Sequence, residues 1–436
     1  MSASKWKPYP EYKPISHAGI VKIPDHWDSK RMRYVFRERG EVSEDGTEEL
    51  LSVSKYTGVK VRSTTTDREA RAASLVGYKR CEPNDIVSNI MLAWDSALGV
   101  SFDSGIVSSA YGVYVPQQEI DSHFLDLLLR TPEYRAAFTI VSKGIVPSRW
   151  RMYTESFNDI QMILPPLKEQ KQIGKLVHKI DENISGNIKN LETQLSLLEE
   201  NRSAIITKAV TKGLNPDVQM KDSGIDWIGE IPEHWVVKRM KQITNEVTAG
   251  PFGSSLTKAM YVKSGYRVYG QEQVIADDFS IGDYYISNQK FDEMQRYQLK
   301  EDDILVSAIG TIGRISVFPR EAEEGIFNPR LVRYAVNKEM IKPYFLKHLL
   351  LSDCSQIYFN LSAGGTTMQV LNLQIIGETP LLIPPISEQN EITMYIEGKN
   401  KLIENYKGKI TSKIEKLKEY RTALISAAVT GKIDVQ

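Results

Sequence analysis

Net charge is the first thing this chain lacks: lysine plus arginine and aspartate plus glutamate number 55 each in 436 residues. A coat for nucleic acid would be basic overall, so contact with a polyanion must come from local clusters or be shared with a partner. Cysteine is scarce as well. Cys81 and Cys354 lack metal-site spacing and are too few for a disulfide framework, which suits a reducing cytoplasm. No run reaches the roughly eighteen apolar residues of a membrane-spanning helix, and the first residues carry no apolar stretch of signal-peptide type. The expectation is a chain with no membrane partner.

Catalytic motifs are missing too. No Gly-x-x-x-x-Gly-Lys-Ser/Thr loop is present to cradle a nucleotide; Gly310-Thr311-Ile312-Gly313 lacks the lysine and reads as a turn between strands. Asn328-Pro329-Arg330 fails at the second proline of the Asn/Asp-Pro-Pro-Tyr/Phe motif with which a self-contained amino-methyltransferase clamps a flipped base. Glu397-Gly398-Lys399 imitates a nuclease Glu-x-Lys without an upstream acid. These absences predict a chain that is not an enzyme and holds neither cofactor nor metal of its own.

What is present is present twice. Ile23-Pro24-Asp25-His26-Trp27 with Lys30-Arg31-Met32 returns as Ile231-Pro232-Glu233-His234-Trp235 with Lys238-Arg239-Met240. Pro165-Pro166, Glu169-Gln170, Arg202 and Ala209-Val210-Thr211 return as Pro384-Pro385, Glu388-Gln389, Arg421 and Ala428-Val429-Thr430 at one constant offset. A period of roughly 210 to 220 residues is too long for a solenoid, so whole modules are repeated. With 41% hydrophobic residues, a chain of this length can fill two or three cores. His26 and His234 recur only inside their repeated element, where a structural role beside tryptophan is expected.

Residues 1–22 read as an arm laid on the surface. Residues 23–160 read as mixed α/β, with strands at Asp85-Ile86-Val87 and Val113-Tyr114-Val115 and one helix from Ser122 to Phe138, whose apolar face is Phe124, Leu125, Leu128 and Leu129. In the second copy Asp303-Ile304-Leu305 answers Asp85-Ile86-Val87, Gly325-Ile326 answers Gly105-Ile106, and Tyr344-Phe345-Leu346 starts the matching helix. After each Pro-Pro pair a heptad seam begins: Ile173, Val177, Ile180, Ile184, Ile188, Leu191, Leu195, Leu198 and Ile205, then Ile392, Ile396, Ile403, Ile410, Ile414, Leu417 and Leu424. Two such seams predict an antiparallel helical pair. Gly213 to Gly224 is a polar connection that ends the first helix. The expected fold is therefore α/β (α+β) globular parts in two copies, joined by a long antiparallel coiled-coil pair in a pseudo-twofold arrangement. The expected bounds are 1–160 and 214–380 for the globular parts and 161–213 and 381–436 for the helices.

Candidate binding residues are local. Between Glu133 and Glu155 there is no acid, while Lys143, Arg149 and Arg151 interleave with Gly144, Pro147, Ser148 and Trp150. Cations on such a loop suit phosphate and base-edge contacts. The matching stretch, Cys354 to Gly377, carries no charge at all but is rich in hydrogen-bonding groups, among them Thr366, Thr367 and Gln369. Gly250-Pro251-Phe252-Gly253-Ser254-Ser255, followed by Lys258, is a further candidate. Corresponding loops of such different chemistry are what two readers of different sequences would carry.

These elements, in this order and twice, resemble the specificity subunit of type I restriction–modification enzymes. The Ile-Pro-x-His-Trp opening, the Gly-Pro-Phe-Gly-Ser-Ser loop, the Pro-Pro-x-x-Glu-Gln start and the Arg-x-Ala-x-Ile-x-x-Ala-Val-Thr end of each helix carry the resemblance. It implies two target recognition domains, each reading half of a bipartite double-stranded DNA sequence. It implies also that two methyltransferase subunits dock on the helices and supply the S-adenosylmethionine chemistry, with motor/nuclease subunits joining for cleavage in a prokaryotic cytoplasm. The first recognition domain departs from the pattern near Val53–Thr66, where no Gly-Pro-Phe-Gly-Ser counterpart stands. A specificity subunit serving fused cleavage and methylation subunits, or a coiled-coil scaffold that never touches DNA, is the alternative.

Overall fold

The computed structural model describes residues 6–55, 57–62, 74–146, 149–362 and 371–435. The chain forms two compact units: Met1–Leu191 with Thr411–Gln436, and Glu192–Ile410. Each long helix, Leu167–Lys212 and Ile386–Val429, therefore contributes its first part to one unit and its last part to the other.

The first unit is built on a four-stranded antiparallel sheet in the order Phe36–Glu38, Gly112–Pro116, Ile86–Ser88, Leu98–Val100. Two-stranded pairs flank it: Asp28–Arg31 with Gln161–Leu164, Leu51–Ser54 with Gly58–Val61, and Lys79–Cys81 with Gly105–Val107. The second unit repeats the sheet as Thr244–Ala249, Leu331–Val336, Ile304–Ser307, Ile315–Val317, again antiparallel. Val236–Arg239 with Pro380–Ile383 repeats the pair that leads into the long helix. The strands expected to correspond do so. Asn84 and Asp302 both adopt left-handed backbone just before the second-last strand of each sheet. The following acids, Asp85 and Asp303, accept the backbone N–H of Glu82 and Lys300 at 2.8 and 2.7 Å. Each also meets a cation: Arg39 binds Asp85 through two nitrogens at 2.7 and 3.2 Å, whereas Arg333, from a different strand, lies 3.5 Å from Asp303.

Residues 1–22 are not a surface arm over their described part. Tyr12–His17 pairs antiparallel with Ile20–Pro24, and Tyr9 is buried against the rings of His26 and Trp27. An aromatic residue followed by a paired strand has more apolar area to bury than a solvated arm would. The single helix expected over Ser122–Phe138 is two, Ser122–Leu129 and Pro132–Val141. Its apolar face is buried as anticipated. The break falls where Pro132 disfavours helix at the preceding residue and Thr131 caps the new helix, its hydroxyl accepting the Tyr134 N–H. In the second unit Pro343–Leu351 and Asp353–Ser362 break similarly, so the stretch from Cys354 begins as helix rather than loop.

Along the long helices the expected seam is buried at Ile173, Val177, Ile184, Ile188 and Leu191, and at Ile392, Ile396, Ile403, Ile414 and Leu424. In the second unit the Arg202 guanidinium donates to Asn400 at 3.1 Å and pairs with Glu404 at 3.1 Å, while Lys407 pairs with Glu199. A step forward along one helix meets a step back along the other, so the pairing there is antiparallel. In the first unit Arg421 pairs with Asp181 at 2.5 Å. By the repeat's offset Arg421 is the counterpart of Arg202, and Asp181 of Asn400, so one contact is made in both units.

Candidate nucleic-acid interface

A buried clamp holds each globular part to the long helices. Glu169, at the start of the first helix, accepts the Trp27 indole N–H at 3.1 Å and the Tyr9 hydroxyl, with His26 Nε2 at 2.8 Å. Burial, then the carboxylate beside it, pushes the Tyr9 hydroxyl's pKa far above its usual value. In the second unit Glu388 accepts the Trp235 indole at 3.1 Å, with His234 Nε2 at 2.8 Å. The neighbouring glutamines repeat as well. Gln170 accepts the Asp121 N–H at 2.9 Å and donates to the Pro165 carbonyl at 2.8 Å, and Gln389 does the same with Lys342 and Pro384 at 2.7 and 2.9 Å.

The far end of the opposite helix closes each clamp. Ala428 and Val429 pack into the core around Trp27, and Ala209 and Val210 into that around Trp235. The helices stop at Gly431 and Gly213, both left-handed at φ 75° and 72°. A Cβ on Gly431 would lie 2.5 Å from Pro24 and 3.1 Å from Trp27; on Gly213 it would lie 3.3 Å from Trp235. The repeated motifs thus build the framework, and the candidate loops lie outside them.

Those loops leave one end of each sheet. In the second unit, Gly250, Ala308 and Arg330 follow or precede the strand ends there: the Gly250 N–H donates to Leu331 at 2.9 Å and the Ala308 N–H to Arg330 at 3.1 Å. The Gly250 turn needs glycine, because a Cβ would sit 2.1 Å from the Asn328 carbonyl. Gly253, Ser254 and Ser255 form an exposed single turn, with Lys258 exposed on the next. Arg330, which the sequence does not single out, is a further cation beside these turns. It is exposed, and its guanidinium lies 3.4 Å from Gln271, whose amide donates to the Ile309 carbonyl at 2.5 Å. The signal was available in Asn328-Pro329-Arg330, where Asn328 accepts its own turn's Arg330 N–H at 2.9 Å instead of clamping a base. Thr366, Thr367 and Gln369 lie outside the described residues. The segment that carries them returns to the sheet at Leu371, whose N–H donates to Ala308 at 2.9 Å.

The first unit makes the same return. The Met152 N–H donates to Ile90 at 3.0 Å, at the position matching Leu371 and Ala308. Just before it, Lys143 and Arg151 close the loop by exchanging backbone hydrogen bonds at 3.0 and 2.9 Å. Gly144 is required by close approach, since a Cβ would lie 2.5 Å from the Arg149 carbonyl. Lys143 and Arg149 are exposed; Arg151 is half-buried, its guanidinium donating to the Trp150 carbonyl at 2.7 Å. Trp150 packs edge-on against Trp94, which seats the loop on the turn after Ser88. The departure near Val53–Thr66 is occupied by the hairpin Leu51–Ser54 and Gly58–Val61, and residues 63–73 lie outside the described residues.

Cys81 is buried, which pushes its thiol up to about 12, and burial raises Cys354 as well. Among the described residues no group of three or more histidine, cysteine, aspartate or glutamate side chains could hold a metal. No helix among them is long and apolar enough to cross a membrane.

Residues 232–416 match the type I restriction modification DNA specificity domain family. The type I restriction enzyme MjaVIII specificity subunit of Methanocaldococcus jannaschii is 26% identical over 434 residues, 95% of each chain. Over nearly its whole length the chain is similar to type I restriction specificity subunits. The EcoBI specificity subunit of Escherichia coli is 22% identical over 70% of this chain and 65% of its own. Two solved structures share the specificity subunit's fold. One, from a study of "complex assembly and conformational transition of the type I R-M system", covers 94% of this chain and 100% of its own at TM-score 0.70 and 14% identity. The other, an HsdS subunit from Thermoanaerobacter tengcongensis, covers 96% and 100% at TM-score 0.53 and 16% identity. Proteins of this kind are the non-enzymatic members of their complexes.

Proposed function

We propose that this specificity subunit reads a bipartite double-stranded DNA target, one half-site per globular part. Residues 1–160 and 214–380 would be the target recognition domains, and the two helices a coiled-coil spacer in a pseudo-twofold chain. The observation that carries this reading is the shared return of the two candidate loops: Met152 to Ile90 and Leu371 to Ala308 are one hydrogen bond made twice. The same framework thus presents a cationic loop in one copy and a hydrogen-bonding one in the other. Lys143, Arg149 and Arg151 serve the first half-site. Gly253, Ser254, Ser255 and Lys258, with Thr366, Thr367 and Gln369, serve the second.

Methylation chemistry belongs to partner subunits that bring S-adenosylmethionine, in keeping with the missing Asn/Asp-Pro-Pro-Tyr/Phe motif in this sequence. The duplicated clamps and helices present the same surface twice, which suits two identical methyltransferase subunits; motor/nuclease subunits complete the cleaving complex. The test is a methylation profile of the assembled complex on a random-sequence DNA library. Two separate recognition blocks, with two methyltransferase subunits per chain by mass, are expected. A single continuous block, or one methyltransferase subunit per chain, would refute the reading. Methylation by this chain alone would revive a self-contained enzyme, and salt-insensitive or absent DNA binding by the complex would favour a scaffold.

A further inference from the structure

The loop between Lys143 and Arg151 carries something a phosphate-binding loop does not need. Ile145 is 95% exposed, Val146 follows it half out in solvent, and Ile140, at the end of the preceding helix, is 72% exposed. A single exposed apolar residue is ordinary on a protein surface, but three within seven positions, on and beside a loop of cations, are a candidate contact with another molecule. The base of the loop is firmly held. It is closed below by the paired hydrogen bonds of Lys143 and Arg151, crowded at Gly144 by the Arg149 carbonyl, and seated on the Trp150–Trp94 contact. Cations stand on both sides: Lys143 before it, Arg149 and Arg151 after it, with no acid between Glu133 and Glu155.

We propose that Ile145 is a wedge that enters the stack between two base pairs of the first half-site. Resting on the DNA-reading function above, this gives the loop a second task besides contacting phosphates and base edges. A protruding apolar side chain between flanking cations suits a duplex: the cations bind phosphates of both strands while the side chain replaces stacking at one step and bends the axis. A protein partner would need about 800 Å² of buried surface on this side. A base step needs only the tip. The wedge makes the first half-site sensitive to how easily one step unstacks, so pyrimidine–purine steps are favoured there without any hydrogen bond to a base.

The experiment uses the complex of this chain with its methyltransferase subunits. The probes are duplexes carrying 2-aminopurine walked through the first half-site, with donor and acceptor dyes at the ends to report bending. With the wild-type complex, 2-aminopurine fluorescence rises at one step and the end-to-end distance shortens. Ile145→Ala should abolish both signals and weaken binding about ten-fold, with the salt dependence unchanged because no charge is altered. Ile145→Leu should restore them. Arg149→Ala should leave the unstacked step in place and alter binding instead. Unchanged fluorescence and bending in Ile145→Ala, or sequence-selective binding by the wild type with no unstacked step, overturns the wedge and leaves the DNA-reading function intact. Loss of the methyltransferase subunits from Ile145→Ala also overturns it, as the tip would then be a protein contact. A complex that does not select among sequences overturns the function itself.

Discussion

His348 shows how much one side chain can tie stability to conditions. It lies on the helix Pro343–Leu351, is 7% exposed, and its Nε2 has no hydrogen-bond partner among the described residues. Burial, with Lys347 and Arg202 adding to it and Asp277 opposing, lowers its pKa to about 4. The unfolded chain binds a proton near pH 6.5 that the folded one refuses until about 4. Its stabilisation is therefore complete above the unfolded value and is lost as pH falls through that window. Between pH 7 and 5 the second unit should lose about 2 kcal/mol. Urea unfolding of the wild type and His348→Leu should show this loss only in the wild type; equal slopes against pH would refute it. The clamp glutamates give a second residue-scale prediction. Glu169→Ala strands the buried Trp27 and Tyr9 donors and should cost about 2–3 kcal/mol. Glu388→Ala should cost less, since the Glu388 side chain is 22% exposed against 4% for Glu169. The reverse order in denaturant melts would contradict the clamp.

At the scale of elements, the sequence was most legible where one physical constraint acts alone. The seam was readable because a long helix buries one stripe, and the end of the first helix because Gly213 takes the left-handed residue. The break between Leu129 and Pro132 was not, because the apolar face runs on through it and only Thr131-Pro132 signals the stop. The first strand was missed for a related reason: Tyr12–His17 alternates too weakly to be recognised without its partner Ile20–Pro24. Arg330 is illegible because Asn328-Pro329-Arg330 resembles a truncated catalytic motif more than a turn that exposes a cation. Ile184→Asp, which puts a charge at a position only 6% exposed, should destabilise the first unit by several kcal/mol, while Leu417→Asp, half-buried, should cost less. Gly431→Ala adds a clash with Pro24 and Trp27 to left-handed strain, and thermal melts should register both.

At the scale of the whole molecule, the duplicated order of the chain made its likeness to specificity subunits legible, while which bases the proposed loops would read depends on poses in a groove that side-chain identity does not set. Arg149→Ala should cost about 1–3 kcal/mol and relax one position of the first half-site if its guanidinium is bidentate to guanine. An even loss across sequences with a shallower salt slope would make it a phosphate contact. Thr367→Ala should alter the second half-site alone. The spacer has its own test. Because the helices pair antiparallel within each unit, both must be lengthened together. A heptad added after Leu191 and another after Ile410 would extend the pair by about 10 Å, or roughly three base pairs. Methylation profiling should then find the half-sites unchanged and their separation increased. Altered half-sites would defeat the ruler.

Ala428 and Val429 fill the core around Trp27, and this imposes an order on synthesis. A ribosome moving along the message finishes the second unit's chain while the first still waits for its last wall. A nascent chain stopped before Ala428 would carry a gap beside Trp27, however well its early strands had paired. Premature stops would thus yield products that proteases distinguish from the finished protein.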